Sequence, residues 1–261
     1  MRKLLFSNFF RLSKSKLFRG EMIFMIFSGI IAAFGAFAQH KIHLAYGQTV
    51  TLDKVFYGYS MLIGILTAIL SSLFLGTEYS DGTMRNKVIC GHRKINIYFS
   101  NLITVILAAL LLCAFYLVTV TVVGTPLVGF VTQSCGNIFL KLLGSIASVI
   151  AFSSVFTLIS MVCADKTGSA IISVLGVTIF SMIAWQLNEY TDWLNSPGTP
   201  VYLCLTFFHS FLPTGQAVQY GDLDNFALPV IYIWKMLLSS LFVTAVTTAI
   251  GIRIFKTKDL K

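Results

Sequence analysis

The sequence predicts an all-α membrane protein with six transmembrane helices, and three observations support this fold class. Hydrophobic residues make up 56% of the 261 residues and charged residues only 11%, whereas a soluble domain typically has about 25% charged residues. The apolar residues form continuous runs of the length that a helix needs to cross a bilayer, instead of the alternation expected of a transmembrane strand. Basic residues gather in every second segment between these runs, as in multi-pass proteins.

Six apolar runs are long enough to span the hydrocarbon core. They cover approximately residues 22–39, 56–76, 98–123, 137–162, 168–188 and 231–253. The whole chain, residues 1–261, is therefore predicted to be a single transmembrane domain. The first run precedes Ala36-Phe37-Ala38, which resembles a signal-peptide cleavage site. Because the run and the basic segment before it are longer than those of a signal peptide, we expect this helix to be retained.

Residues 1–20 are predicted to form an amphipathic elbow helix that leads into the first span. Lys3, Ser7 and Arg11 recur every four residues on one face, and apolar side chains occupy another. A basic amphipathic helix of this kind lies in the plane of the lipid headgroups. It either anchors the topology or also braces a partner, and the sequence leaves both interpretations open.

The distribution of Lys and Arg predicts that both termini are cytoplasmic. All but four of the 19 basic residues lie in the N-terminal segment, the C-terminal tail and the loops after the second and fourth spans. Because cytoplasmic loops carry the excess of positive charge, these segments are assigned to the cytoplasm. The net charge of +9 follows from this topology, and no pattern predicts a nucleic-acid partner. The four basic residues on the outer side are Lys41, Lys54, Lys141 and Lys235.

Small and hydroxylated side chains are frequent in the spans, whereas ionisable residues are missing from their middles. Ser28 and Ala32 in the first span, and Ser169, Ser173 and Gly176 in the fifth, recur at helical spacing. Such residues let helices approach closely, so packing is the simpler interpretation. The alternative is a polar face that lines a substrate pathway. The missing mid-span charges argue against an ion-coupled transporter, since such charges mark ion paths.

No motif in the sequence predicts catalysis or metal binding. The phosphate-binding loop G-x-x-x-x-G-K-[ST], the zinc motif H-E-x-x-H and the nucleophile elbow G-x-S-x-G do not occur, so we expect no enzymatic activity of the chain itself. His40 and His43 form an H-x-x-H without a third ligand, which indicates interfacial histidines. Among the five cysteines, only Cys135 and Cys204 are predicted to lie outside, and their pairing stays open.

The outer segment 189–230 differs from the other loops because it contains no Lys or Arg. Its apolar stretch "VYLCLTFFHSFL" (201–212) is too short to span the bilayer and predicts an interfacial or re-entrant helix. The sequence "LPTGQ" (212–216) then breaks this helix. The segment is either a lid over a substrate exit or a cover for helix ends.

The stretch "EYSDGTMRNKVICGHRKINIYFSN" (78–101) concentrates charge between the second and third spans and predicts a short cytoplasmic helix over 79–92. Ser80 or Asp81 is expected to cap the start of this helix, and Gly91 is placed to end it in the left-handed conformation.

This short helix also carries an apolar stripe. Met84 and Val88 lie one turn apart and form the stripe beside the charged residues. A short helix with apolar knobs and a fringe of charge predicts a docking surface. The alternative is an ordinary charged loop that obeys the positive-inside rule.

The stretch 78–101 resembles the segment between the second and third spans of ABC-2 type transporter permeases, the six-span membrane subunits of ABC exporters. The basic amphipathic start, "LPTGQ" (212–216) and "GIRIFKTKDLK" (251–261) extend the resemblance over the whole chain. The compact form without a soluble domain is similar to bacitracin- or lantibiotic-resistance permeases.

The resemblance implies that the short helix is a coupling helix, which inserts into a cleft on a separate ATPase subunit. Two ATPase subunits would act on two permease subunits, either two copies of this chain or one copy and a paralogue. ATP and Mg would bind to the ATPase, and no cofactor is expected in this chain. The residues that would contact the ATPase are Glu78, Asp81, Gly82, Thr83, Met84, Arg85, Asn86, Lys87 and Val88.

The expected function is therefore that of an exporter permease in a bacterial plasma membrane, which moves an amphipathic substrate such as an antimicrobial peptide, a drug or a lipid. Spans 1, 2 and 5 would line the pathway. Two alternatives stay open. One is a non-transporting immunity or sensing module that binds a peptide antibiotic at its outer face. The other is an ion-coupled secondary transporter.

Overall fold

The computed structural model describes residues 1–44, 51–129, 131, 134–194, 199–221 and 230–258, and the regular structure in these ranges is entirely α-helical. Eleven helices follow one another in this part of the chain. They are α1 (Arg2–Lys14), α2 (Lys16–Leu44), α3 (Asp53–Phe56), α4 (Tyr59–Ser80), α5 (Thr83–Ile89), α6 (Lys94–Val128), α7 (Cys135–Cys163), α8 (Lys166–Leu194), α9 (Pro200–Phe211), α10 (Pro213–Gly221) and α11 (Val230–Thr257).

Six of these helices are long and apolar enough to cross a membrane: α2, α4, α6, α7, α8 and α11. The predicted fold class and number of spans are therefore confirmed. Most of the helices are longer than the apolar runs, because polar residues at the headgroups continue the backbone hydrogen bonding. The helix α2, for example, begins at Lys16, six residues before the predicted start of the first span.

The helices α4 and α7 form the centre of the bundle. In the most apolar part of each helix, 67% of the residues of α4 and 61% of those of α7 are buried, against 17% for α8 and 11% for α11. The helix α4 packs on α6, α7, α8 and α10, while α2 packs on α6 and α11 packs on α7. The outer faces of α2, α8 and α11 therefore carry the large apolar side chains that face lipid.

Small residues set the close approach between the central helices. A Cβ atom added at Gly76 of α4 would lie only 2.6 Å from the Cα of Lys166, which begins α8. Since only glycine fits at this distance, Gly76 fixes where α8 starts relative to the end of α4. The next turn of α4 leads into α5, so this crossing also positions the polar stretch singled out in the sequence.

The helices α1, α5 and the C-terminal end of α11 meet at one end of the bundle. The Nζ of Lys94, at the start of α6, donates hydrogen bonds to the carbonyl oxygens of Lys256 (3.0 Å) and Lys258 (2.7 Å). Asn8 of α1 contacts α6 one turn and a half further along, at Ser100. Both ends of the described chain therefore lie on the same side as α5.

Candidate functional site

The chain turns sharply between α4 and α5, and glycine makes this turn. The helix α4 ends at Ser80 with Asp81 as its C-cap, and Gly82 adopts the left-handed conformation with φ of 67° before α5 begins at Thr83. The predicted N-cap at Ser80 or Asp81 is therefore wrong, because Gly82 is the N-cap of α5. Of the predicted helix 79–92, residues 83–89 form α5, while residues 79–80 still belong to α4. The reason is that a glycine enters the left-handed region at little cost, so the chain changes direction there.

The end of α5 has the geometry that the sequence predicted for Gly91. This residue has φ of 83°. The N–H of Gly91 donates to the carbonyl oxygen of Val88 (2.9 Å), and the N–H of His92 donates to that of Lys87 (3.2 Å). These two bonds form a Schellman motif, which satisfies the last carbonyl groups of a helix. The helix α5 is thus a defined element of seven residues and not an irregular loop.

A buried carboxylate connects α5 to the membrane helices. Glu78, in the last turn of α4, is 0% exposed. Its Oε1 lies 2.6 Å from the guanidinium of Arg11 and 2.6 Å from the Nζ of Lys87, and its Oε2 accepts a hydrogen bond from the Nδ2 of Asn101 (3.1 Å). Four helices, α1, α4, α5 and α6, therefore meet at one carboxylate.

Asn8 of α1 completes this cluster. Its Nδ2 donates to the Oδ1 of Asn101 (2.7 Å), and its Oδ1 accepts from the Nζ of Lys87 (3.0 Å). We call the five residues Asn8, Arg11, Glu78, Lys87 and Asn101 the polar junction. Since removing one partner of a buried ion pair costs about 3–5 kcal/mol, the polar junction holds α1 and α5 firmly against the bundle.

The two cations of the polar junction differ in their environment. The guanidinium of Arg11 stacks on the ring of Phe74, 4.1 Å from its centroid, and the side chain is 36% exposed. Lys87 is 14% exposed. Burial lowers the pKa of Lys87, and the adjacent Glu78 carboxylate opposes this change by stabilising the ammonium. Glu78 is thus the carboxylate that stabilises the charged form of Lys87 in this buried environment.

The apolar stripe of α5 faces the bundle. Met84 is 1% exposed, and its sulfur lies 3.8 Å from the Nδ2 of Asn101. Val88 is half-buried against the same core. In the structure Met84 and Val88 therefore contact the membrane helices, and their contact with a partner stays a prediction. The short helix lies against the ends of α4 and α6, so its apolar face is covered.

The opposite face of α5 is the one that is accessible. Asp81, Arg85 and Asn86 are exposed, as is Cys90, and the side chain of Ile89 is 70% exposed. Ile89 was missed in the sequence, although it lies one turn after Arg85 and Asn86 and hence on their face. The three predicted contact residues Gly82, Thr83 and Lys87 are partly buried, and Glu78 is not accessible at all.

The predicted pathway residues occupy two separate places. Ser169 and Ser173 of α8 are 0% exposed, and the carbonyl oxygen of Ser169 accepts a hydrogen bond from Ser72 of α4 (3.3 Å). Ser28 and Ala32 of α2 are half-buried. Because α4 lies between α2 and α8, one chain does not bring the two sets onto a single surface, and the serines of α8 pack between helices.

Gly176, the fifth predicted pathway residue, is half-buried on α8, and no neighbouring atom lies within 4 Å of a Cβ atom added there. It is therefore not a site of close helix packing. Its role in a pathway stays a prediction.

A second buried carboxylate lies on α2. Glu21 is 7% exposed, and it shares with Met25 and Gly29 the buried face of α2 that packs on α6. Neither carboxylate oxygen has a hydrogen-bond partner among the described residues. The predicted first span began after Glu21, so the sequence placed this residue outside the bilayer. Ionisable residues inside spanning helices are costly and mark functional sites. Glu21 is therefore a further candidate for a functional residue.

On the other side of the bundle, α9 and α10 form a helix–turn–helix unit within the predicted segment 189–230. The turn needs Gly215, because an added Cβ would lie 1.9 Å from the carbonyl oxygen of His209. All nine residues of α10 are buried, whereas α9 exposes Phe207 and Phe208. Residues 195–198 and 222–229 of the predicted segment lie outside the described residues. Cys135 and Cys204, the two cysteines predicted to lie outside, are free.

The sequence was compared with models of known protein families. The family model described as ABC-2 family transporter protein matches residues 14–260 of the chain, a range that contains α5 and all six spanning helices. No curated protein matches the sequence.

Proposed function

Because the chain belongs to the ABC-2 family of transporter proteins, it is a membrane subunit of an ABC transporter, and we propose that it exports an amphipathic substrate with energy from a separate ATPase that docks on α5. The ATPase would bind ATP and Mg, since this chain contains no phosphate-binding loop. The chain itself would have no enzymatic activity.

The observation that carries this proposal is the two-sided construction of α5. Its inner face is fixed by Met84 and Lys87, while its outer face presents Arg85, Asn86 and Ile89 to the surroundings. An exposed Ile side chain between polar residues is the kind of anchor that a partner buries in a pocket. A partner that pushes on α5 would move α1, α4 and α6 with it, because the polar junction connects all four helices.

The orientation and the location follow from the same proposal. We place α5 and both termini in the cytoplasm of a bacterial cell, where the ATPase finds ATP, and the remaining helices in the plasma membrane. The distribution of Lys and Arg supports this orientation. So does the meeting of α1, α5 and the end of α11 on one side of the bundle.

Two permease subunits, two copies of this chain or one copy and a paralogue, would enclose the pathway and bind two ATPases. Ser28 and Ala32 are only half-buried within one chain, so α2 has a small and polar surface for a second subunit. The substrate class, an antimicrobial peptide, a drug or a lipid, is supported by the apolar surfaces with scattered hydroxyl groups that the spans provide. Export is the direction that the resemblance of residues 78–101 implies.

The docking part of the proposal is tested by copurification. The tagged chain and a candidate ABC ATPase subunit from the same organism are coexpressed, and the affinity of the purified subunits is measured in detergent. The variant Arg85→Glu combined with Ile89→Asp is expected to weaken binding at least about tenfold, because burying an Ile side chain contributes about 1.5–3 kcal/mol. The matched control is Arg93→Glu, which reverses the charge of an exposed arginine outside α5 and is expected to retain binding.

Normal affinity of the double variant would disprove docking on this face of α5. The transport part is tested separately, in liposomes that contain the chain and the ATPase, by following a fluorescent phospholipid and a cationic antimicrobial peptide with and without ATP. A complex that hydrolyses ATP and moves neither probe would favour the non-transporting module, and movement driven by an ion gradient without ATPase would favour the secondary transporter.

A further inference from the structure

An open apolar groove of about 690 Å³ lies between α9 and α11. Leu203 and Phe207 of α9 form one wall, and Leu238 and Phe242 of α11 form the other. These side chains are between 58% and 64% exposed, so the groove opens towards the hydrocarbon. Its volume lies within the range of about 300–1,000 Å³ of pockets that hold small molecules.

The depth of the groove corresponds to one leaflet. Its lining on α11 runs from Tyr232 to Phe242, which is about 15 Å at 1.5 Å per residue, or about half of the 30 Å hydrocarbon core. At the deep end the rings of Phe211 and Phe242 approach to 6.1 Å between centroids and narrow the groove. The opening lies in the half of the bundle away from α5, because the other end of α11 contacts Lys94.

A cation lies beside the shallow end of this groove. The side chain of Lys235 lines the groove and is exposed, and its Nζ lies 5.3 Å from the ring centroid of Tyr232. Among the described residues no carboxylate pairs with it. An exposed lysine near a membrane surface attracts anionic headgroups, and its long stem lets the ammonium reach the headgroup level.

Hydrogen bonds of the buried residue Gln216 hold α9 and α11, the two walls of the groove, in place. The Nε2 of Gln216 donates to the carbonyl oxygen of Ser210 in α9 (2.9 Å) and to the Oγ of Ser239 in α11 (2.8 Å). The hydroxyl of Ser240 donates to the Oε1 of Gln216 (2.6 Å). Since Gln216 is 0% exposed, these bonds are shielded from water and keep α9 and α11 at a constant separation. A preformed groove binds without the cost of ordering its walls.

We propose that this groove binds an anionic phospholipid of the surrounding bilayer, with one acyl chain between α9 and α11 and the phosphate paired with Lys235. The apolar walls favour an acyl chain over a hydrated occupant, and Lys235 at the shallow end selects a negatively charged headgroup. Under the orientation proposed above, the lipid comes from the outer leaflet. The site needs neither the ATPase nor transport, so it is tested independently of them.

The experiment is native mass spectrometry of the full-length chain in detergent, titrated with phosphatidylglycerol or with phosphatidylcholine of the same acyl chains. The wild-type chain is expected to prefer phosphatidylglycerol by roughly fivefold, since one lysine near the surface contributes about that factor. Lys235→Gln is expected to abolish the preference. Leu203→Trp, which fills the groove at a lipid-exposed position, is expected to reduce the binding of both lipids.

The matched control is Lys41→Gln. Lys41 is also exposed, on the same side of the membrane, with its Nζ 4.7 Å from the centroid of Phe37, but it does not line the groove. Equal loss of preference in Lys41→Gln and Lys235→Gln would overturn the proposal, as would unchanged binding in Leu203→Trp. Self-association of the wild type that Leu203→Trp abolishes, with unchanged lipid binding, would assign the groove to a second copy instead. Thermal unfolding of each variant verifies that it is folded.

Discussion

The substitution Glu78→Gln tests whether the polar junction holds α1 and α5 on the bundle. Gln keeps the shape of the side chain and an acceptor for Asn101, but it removes the charge that two cations share at 2.6 Å each. Loss of one partner from a buried ion pair costs about 3–5 kcal/mol. Because Arg11 is 36% exposed and regains water, we expect a loss near the lower limit, about 3 kcal/mol in the free energy of unfolding.

A second substitution separates charge from packing. Lys87 is mostly buried, so in Glu78→Gln its ammonium remains without a counter-ion. Replacing it as well, in Glu78→Gln with Lys87→Met, removes that uncompensated charge, and buried ion pairs exchanged for apolar groups are often neutral in stability. We therefore expect the double variant to be more stable than the sum of the two single variants predicts.

The measurement is unfolding of the purified chain by SDS in mixed micelles, followed by circular dichroism. The matched control is Glu189→Gln, which changes the same charge at an exposed position in the last turns of α8 and is expected to alter stability by at most about 0.5 kcal/mol. A loss below about 1 kcal/mol in Glu78→Gln, or strict additivity in the double variant, would refute the role assigned to the polar junction.

Further substitutions test the other buried sites by the same unfolding measurement. Gly215→Ala is expected to destabilise the chain by more than about 2 kcal/mol, because its Cβ would lie 1.9 Å from a backbone oxygen; Gly35→Ala, where nothing lies within 4 Å, is the control, and equal effects would contradict the close approach. Gln216→Leu is expected to cost about 1–3 kcal/mol, since it leaves the buried hydroxyl of a serine without its acceptor, and an unchanged stability would show that the groove walls do not depend on it. Glu21→Gln is expected to leave stability unchanged or higher, and a clear loss would reveal an ionic partner outside the described residues. Ser173→Ala is expected to change both stability and transport little if Ser173 serves only helix packing, whereas a loss of transport at normal stability would support the predicted role of Ser173 in the pathway.

Several local features of the polar stretch were predictable because they depend on neighbours in the chain. The glycine at 91 ends α5 in the left-handed conformation, as expected from its position after the last turn. The break at Gly82 was missed, since a glycine with a polar neighbour on each side is compatible both with the interior of a short helix and with a turn. Which of these two conformations Gly82 adopts depends on the direction that α5 takes along the bundle.

The accessible face of α5 was not predictable from periodicity alone. The pattern correctly placed Met84 and Val88 on one face, but it could not show whether that face meets a partner or the membrane helices. The structure covers Met84 and exposes Ile89, because the ends of α4 and α6 offer an apolar surface beside α5. Packing thus turns the apolar face of α5 towards the membrane helices and leaves the face with Ile89 accessible.

The sequence by itself determined the class of this protein, six apolar helices with their basic flanks, because the length of the hydrocarbon core and the cost of unpaired backbone groups in lipid leave few alternatives. Only the tertiary structure decided that Glu78 is a buried counter-ion and not a surface contact. Its partners lie far away in sequence: Arg11 is 67 residues before it and Asn101 is 23 residues after it. Contacts between residues so far apart follow from how the helices cross, and the period of any one helix does not contain that information.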